Sequence, residues 1–105
     1  MPTAICFIER KRNQKRIEKG SDEWESGDWD VSPAKAQTLI GKRIYFHEKQ
    51  ADPSYFGGII TGFHICPTDN PKSRTRIVFA FIRDNEGSGF SAGSDGWRQD
   101  QKTIP

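Results

Sequence analysis

The stretch Gly27-Asp28-Trp29-Asp30-Val31-Ser32-Pro33-Ala34-Lys35-Ala36-Gln37-Thr38-Leu39-Ile40-Gly41 carries a strand, a helix start and a helix stop in close succession. Gly27 to Val31 reads as a brief strand. Ser32 then offers a hydroxyl to an open helical N–H, and Pro33 fits the first helical position, where a missing donor costs nothing. Val31 before the cap and Ala36 at the fourth helical position have the spacing of a small hydrophobic staple, while Ala36, Leu39 and Ile40 supply an apolar face at three- and four-residue intervals. Gly41 is free to take the left-handed conformation that ends a helix, and Lys42 and Arg43 suit its negative end. Two turns are too few to stand alone, so this helix must pack on a sheet.

The sheet is read outward from that helix. Arg43 to His47 alternates, with Ile44 and Phe46 on one side and Tyr45 and His47 on the other. Gly57 to Ile65 forms a longer strand whose glycines at 57, 58 and 62 suit a bulge, a bend or the close approach of another backbone. Pro67 to Ser73 is a polar loop. Arg76 to Arg83 is the strongest strand, with Ile77, Phe79 and Phe81 on one face and Val78, Ala80 and Ile82 on the other, and it is expected at the centre of the sheet. Thr3 to Ile8 is a further strand, Trp97 and Arg98 open a last short one, and Ile104 docks the chain end. Between them, Asp84 to Gly96 reads as a long flexible loop with Phe90 tucked down as an anchor. The expected fold is a single α+β domain over residues 1–105. It is a strongly curved antiparallel or mixed sheet, or a small partly open β-barrel, of five to six strands with one short helix plugging an opening.

Composition bounds the rest. The 105 residues leave no room for a second domain, and an aromatic content of 11% offsets a hydrophobic fraction of only 33%, because each ring buries a large area. The net charge of +2 is too small to argue for nucleic acid by itself, but its distribution is uneven. Glu9 to Lys19 holds six bases against two acids, whereas Gly20 to Asp30 holds five acids and no base. Residues 9–27 are thus expected as a charged arm, either an extended hairpin or a mobile loop, with a helix over Arg12 to Lys19 disfavoured because Ile17 is its only apolar residue. Cys6 reads as a small buried hydrophobe, and neither it nor Cys66 belongs to a motif with metal-ligand spacing, so no metal or cofactor is expected. The chain carries no secretory signal and no long apolar stretch, which points to a cytoplasmic setting and away from membranes.

The segment from Gly27 to Lys42, followed by Ile44-Tyr45-Phe46 and Gly57-Gly58-Ile59-Ile60, resembles small PUA-like domains of the EVE and ASCH kind. It is also similar to small bacterial proteins of the sort carried on mobile gene cassettes. The resemblance covers about a third of the chain. It implies a pseudo-barrel of five or six strands, many of whose members bind RNA or modified DNA bases. The charged insertion after the first strand departs from that pattern.

Candidate functional residues follow from residue type. Trp24, Trp29, Tyr55 and Trp97, with His47 beside them, are candidates for stacking on a base or another planar ligand. Arg10, Lys11, Arg12, Lys15 and Arg16 are candidates for tracking a phosphate backbone, provided that the acids following them point elsewhere. No catalytic residue is assigned, because neither His47 nor His64 lies in a context that signals a triad. The first expectation is a non-enzymatic binding module for nucleic acid or a base-like ligand. A homo-oligomeric protein–protein interaction protein using the charged arm is second, with a dimer as its simplest form, and a small enzyme is third.

Overall fold

A computed structural model describes residues 3–17, 19–66, 76–98 and 100–105, so the loop expected over Pro67 to Ser73 lies outside the described residues. The elements in chain order are β1 (Ala4–Ile8), β2 (Lys15–Arg16), β3 (Glu23–Asp30), α1 (Pro33–Thr38), β4 (Arg43–His47), β5 (Phe56–Cys66), β6 (Arg76–Arg83), a 3₁₀ turn (Asn85–Gly87) and β7 (Gln101–Ile104). All seven strands join one sheet in the order β2-β3-β6-β5-β4-β1-β7. β1 and β4 run parallel, and the other pairs are antiparallel. The mixed α+β character agrees with the sequence. The strand count exceeds the expected five to six, and the sheet is not closed, since β2 and β7 are its two ends.

The helix forms as its flanks dictate. Ser32 Oγ accepts from Lys35 N at 3.1 Å, and Pro33 occupies the start. Gly41, at φ +84°, turns the chain and donates its N–H to Ile60 O at 2.8 Å, which clips the helix end to β5. Ala36 and Leu39 are fully buried, but Ile40 points out and is 37% exposed. A six-residue helix lies on the sheet by a narrow stripe, so the third apolar position is left to solvent.

Two β-bulges give the sheet its curl. β3 carries one extra residue between Glu25 and Asp28, and β5 carries one between Ile60 and Gly62, both beside Ala80 of the strand between them. A bulge bends its strand and shifts the side-chain alternation by one. Trp24 and Trp29, five apart, therefore both pack against the core. Ser26 sits buried in the first bulge, and its hydroxyl accepts from Phe79 N at 3.0 Å. Gly57 and Gly58 match the expected close approach: a methyl at Gly57 would overlap Ile44 O, and one at Gly58 would overlap Ile82 O.

The main core comprises Ile5 and Phe7 of β1, Val31, Ala36 and Leu39, Ile44 and Phe46 of β4, Ile60, and Ile77, Phe79 and Phe81 of β6. A second, smaller cluster lies on the other face of β1 and β4, where Ala4, Cys6 and Tyr45 are covered by Phe90, Ala92, Trp97 and Ile104. Phe90 lies flat on Tyr45, with centroids 4.1 Å apart and planes at 7°, which is the anchoring role expected for it. Arg43 ties this region to the 3₁₀ turn through Asp84 at 2.6 Å.

Two boundaries differ from the reading of the sequence. β3 begins at Glu23 instead of Gly27, because pairing with β6 overrides the low strand propensity of alternating acids that face outward. Of the charged arm, Lys15–Arg16 pairs with Trp24 and Glu25 as a short hairpin. Trp97 does not open the last strand: Arg98 makes only a lone bridge to Gln101, and β7 begins there.

Candidate functional site

The charged arm is exposed but tied back onto the fold. After β1 ends, Glu9 turns inward, is buried, and donates its N–H to His47 O at 2.8 Å. Tyr55 then tethers the crossing chain, since its hydroxyl donates to Glu9 O at 2.6 Å and accepts from Gln14 Nε2 at 2.9 Å. Burial pushes the Tyr55 hydroxyl above the ordinary phenol range, opposed by the Gln14 bond and the nearby Arg12 charge.

This tether brings bases and rings together. The Arg12 guanidinium lies 4.0 Å from the Tyr55 ring centroid, and that of Arg16 lies 5.0 Å from Trp24. Arg12 also holds Glu48 Oε1 at 2.7 Å, and Arg10 Nε donates to Glu48 O at 3.1 Å. Arg12 has φ +51°, a left-handed conformation that costs a non-glycine residue roughly 1–2 kcal/mol, and these contacts are what hold it there. Arg10, Lys11, Arg12, Lys15 and Arg16 are all exposed. Among the described residues, Arg10, Lys11, Lys15 and Arg16 make no ion pair with a carboxylate.

Three of the five acids that follow are drawn elsewhere. Glu25 meets His64 Nδ1 at 3.5 Å, Asp28 meets Arg76 at 3.7 Å and Asp22 meets Arg83 at 3.6 Å, all bases of β5 and β6. These three carboxylates meet bases of other strands, while Glu48 pairs with Arg12 of the arm.

The remaining candidates do not converge on this strip. Trp29 packs on the main core with its ring against Phe7 at 4.1 Å. His47 is fully buried on the opposite face, edge-on to Trp97 at 5.6 Å, and Trp97 Nε1 donates to Gly93 O at 2.8 Å. His47 Nδ1 lies 2.9 Å from Asp52 O; a carbonyl only accepts, so the proton sits on Nδ1. Its Nε2 is buried without a hydrogen-bond partner among the described residues, and burial lowers its pKa. Cys6 is a free thiol, and burial pushes it up to about 12. Glu9, Gln14 and Glu48, which fix the arm, escaped the sequence reading, because their partners are distant in the chain and no local pattern marks them.

Comparison with protein families, with curated proteins and with solved structures yields no match to this chain. Among the described residues, no helix is long and apolar enough to cross a membrane.

Proposed function

We propose that the protein is a non-enzymatic binding module for single-stranded nucleic acid, and that the strip Arg10-Lys11-Arg12, Lys15 and Arg16 is its contact surface. The observation that carries this reading is the pair of guanidinium groups held over Tyr55 and Trp24 on an exposed arm, with Asp22, Glu25 and Asp28 paired to bases of other strands. A guanidinium backed by a ring presents its other face as a stacking plane for a base, while the free bases meet phosphates. The rings themselves are supports for the arginines, which replaces the open aromatic platform expected from sequence. The PUA-like resemblance adds support by analogy only.

The test is fluorescence anisotropy with labelled single-stranded RNA and DNA oligonucleotides across a salt series. Four unpaired bases at about 0.7 counterions each give an expected slope of about −3 in log K against log salt. Arg12→Gln with Arg16→Gln should weaken binding and flatten that slope. No binding to any oligonucleotide at low salt overturns the reading.

Self-association is a second reading, favoured by the outer face of β5 and β6, where Ile59 and Ile82 are register partners and Ile82 is exposed. It would use this sheet face instead of the charged arm. Sedimentation of the wild type against Ile82→Lys tests it, and a monomer at all concentrations removes it.

A further inference from the structure

The sheet does not close, and a cleft of about 440 Å³ opens between the end of β3 and β7. One wall is the end of β3 at Asp30 with Lys35 of α1, and the other is β7 with Gly96 and Arg98 before it. Gln101 Nε2 donates to Asp30 O at 3.1 Å and so spans the gap at one point. Three cations, Lys35, Arg98 and Lys102, line the cleft against the single carboxylate of Asp30.

One of these cations is built in. The Lys102 ammonium donates to Ala92 O, and the loop before β7 wraps its stem. Gly93 and Gly96 both have positive φ, and a methyl at Gly96 would stand 3.4 Å from Lys102 Cε. An ammonium has three donors, and one is used on Ala92. Lys35 and Arg98 have no ion-pair partner among the described residues. A half-open cleft with fixed and free cations has a complementary ligand: an oxyanion whose charge the three would share.

We infer that this seam cleft is a binding site for a small molecule carrying a phosphate or carboxylate group. Lys102 is its preformed contact, and Lys35 and Arg98 close on the anion from the two walls. Gln101 and Thr103 supply neutral hydrogen bonds for the rest of the ligand. The site is separate from the arginine strip and does not depend on it.

The test is a titration of the full chain with inorganic phosphate and, separately, with succinate, at constant ionic strength, read by backbone amide shifts. Saturable shifts at Gly96, Lys102 and Thr103 are expected with at least one probe. Phosphate alone marks a phosphorylated ligand, and succinate alone a carboxylate. Lys35→Gln and Arg98→Gln should each weaken binding by about tenfold, the usual worth of a charge-assisted hydrogen bond, with amide dispersion elsewhere retained. Arg12→Gln with Arg16→Gln should leave the cleft response unchanged, whatever becomes of oligonucleotide binding. Absence of saturation with both probes, or shifts that Lys35→Gln and Arg98→Gln leave untouched, overturns the inference.

Discussion

Phe7 and Trp29 stack ring on ring, with centroids 4.1 Å apart and planes at 20°, although three strands of the sheet separate theirs. A flat sheet would hold β1 and β3 far apart, since neighbouring strands lie about 4.8 Å from one another. The contact therefore records the curl, and it joins the two halves of the core. Trp29→Ala should cost about 3 kcal/mol, the lower end for a large aromatic because the indole is only half-buried. Urea denaturation should show a lower midpoint at an unchanged slope. A cost near zero would mean that the curl does not depend on this pair.

The bulge that makes the contact geometrically possible depends in turn on Ser26. With an extra residue in β3, the Phe79 N–H finds a side-chain acceptor, Ser26 Oγ, at 3.0 Å. Ser26→Ala leaves that buried donor without an acceptor, for an expected loss of about 1–3 kcal/mol. Ser26→Thr, which keeps the hydroxyl, should recover part of it. Amide exchange at Phe79 reads the effect locally, and an unchanged Phe79 protection in the alanine variant would disprove the role.

These two features mark the limit of what the chain reveals before folding. The helix from Pro33, its Ser32 cap, its Gly41 stop and the alternation of β4 and β6 were legible because capping and periodicity are written in neighbouring residues. The glycines of β5 announced a close approach without naming Ile44 or Ile82 as the neighbours. Trp24 and Trp29 gave no sign of sharing a face, because a bulge reverses parity and leaves only a Ser-Gly pair as its trace. The arm was harder still. Its path is fixed by Tyr55 and Glu48, some forty residues away, so composition marked the charge and could not say where the charge would lie.

His47 and Cys6, two buried titratable groups of the smaller face, set opposite pH limits. His47 is held neutral, with its pKa lowered by burial, so the unfolded chain takes up its proton first as pH falls. Stability should therefore fall below the ordinary histidine value near 6.5, and His47→Gln should flatten this acid limb. Cys6 behaves inversely. Its thiol stays protonated to about 12 in the folded chain against 9.0 outside it, so stability drops as pH rises between those values. Cys6→Ala should shorten the alkaline limb in thermal melts, with the remainder due to Tyr55, whose pKa is also raised by burial. Identical profiles for wild type and both variants would show that neither group titrates differently on folding.

Tyr55→Phe separates the arm's tether from its charge. The substitution keeps the ring under Arg12 but removes the hydroxyl that joins Glu9 O and Gln14 Nε2. The direct loss is about 1 kcal/mol, because a neutral hydrogen bond is exchanged in part for water. The larger expectation concerns local order: amides from Arg10 to Arg16 should exchange faster, while those of β6 should not change. Oligonucleotide affinity should fall as the arm must be ordered on binding, yet the salt slope should persist, since every base remains in place. Arg12→Gln with Arg16→Gln predicts the reverse pattern, a reduced slope with the tether intact. If Tyr55→Phe lowers the slope as much as removing both arginines does, the tyrosine acts on the ligand itself and not through the arm.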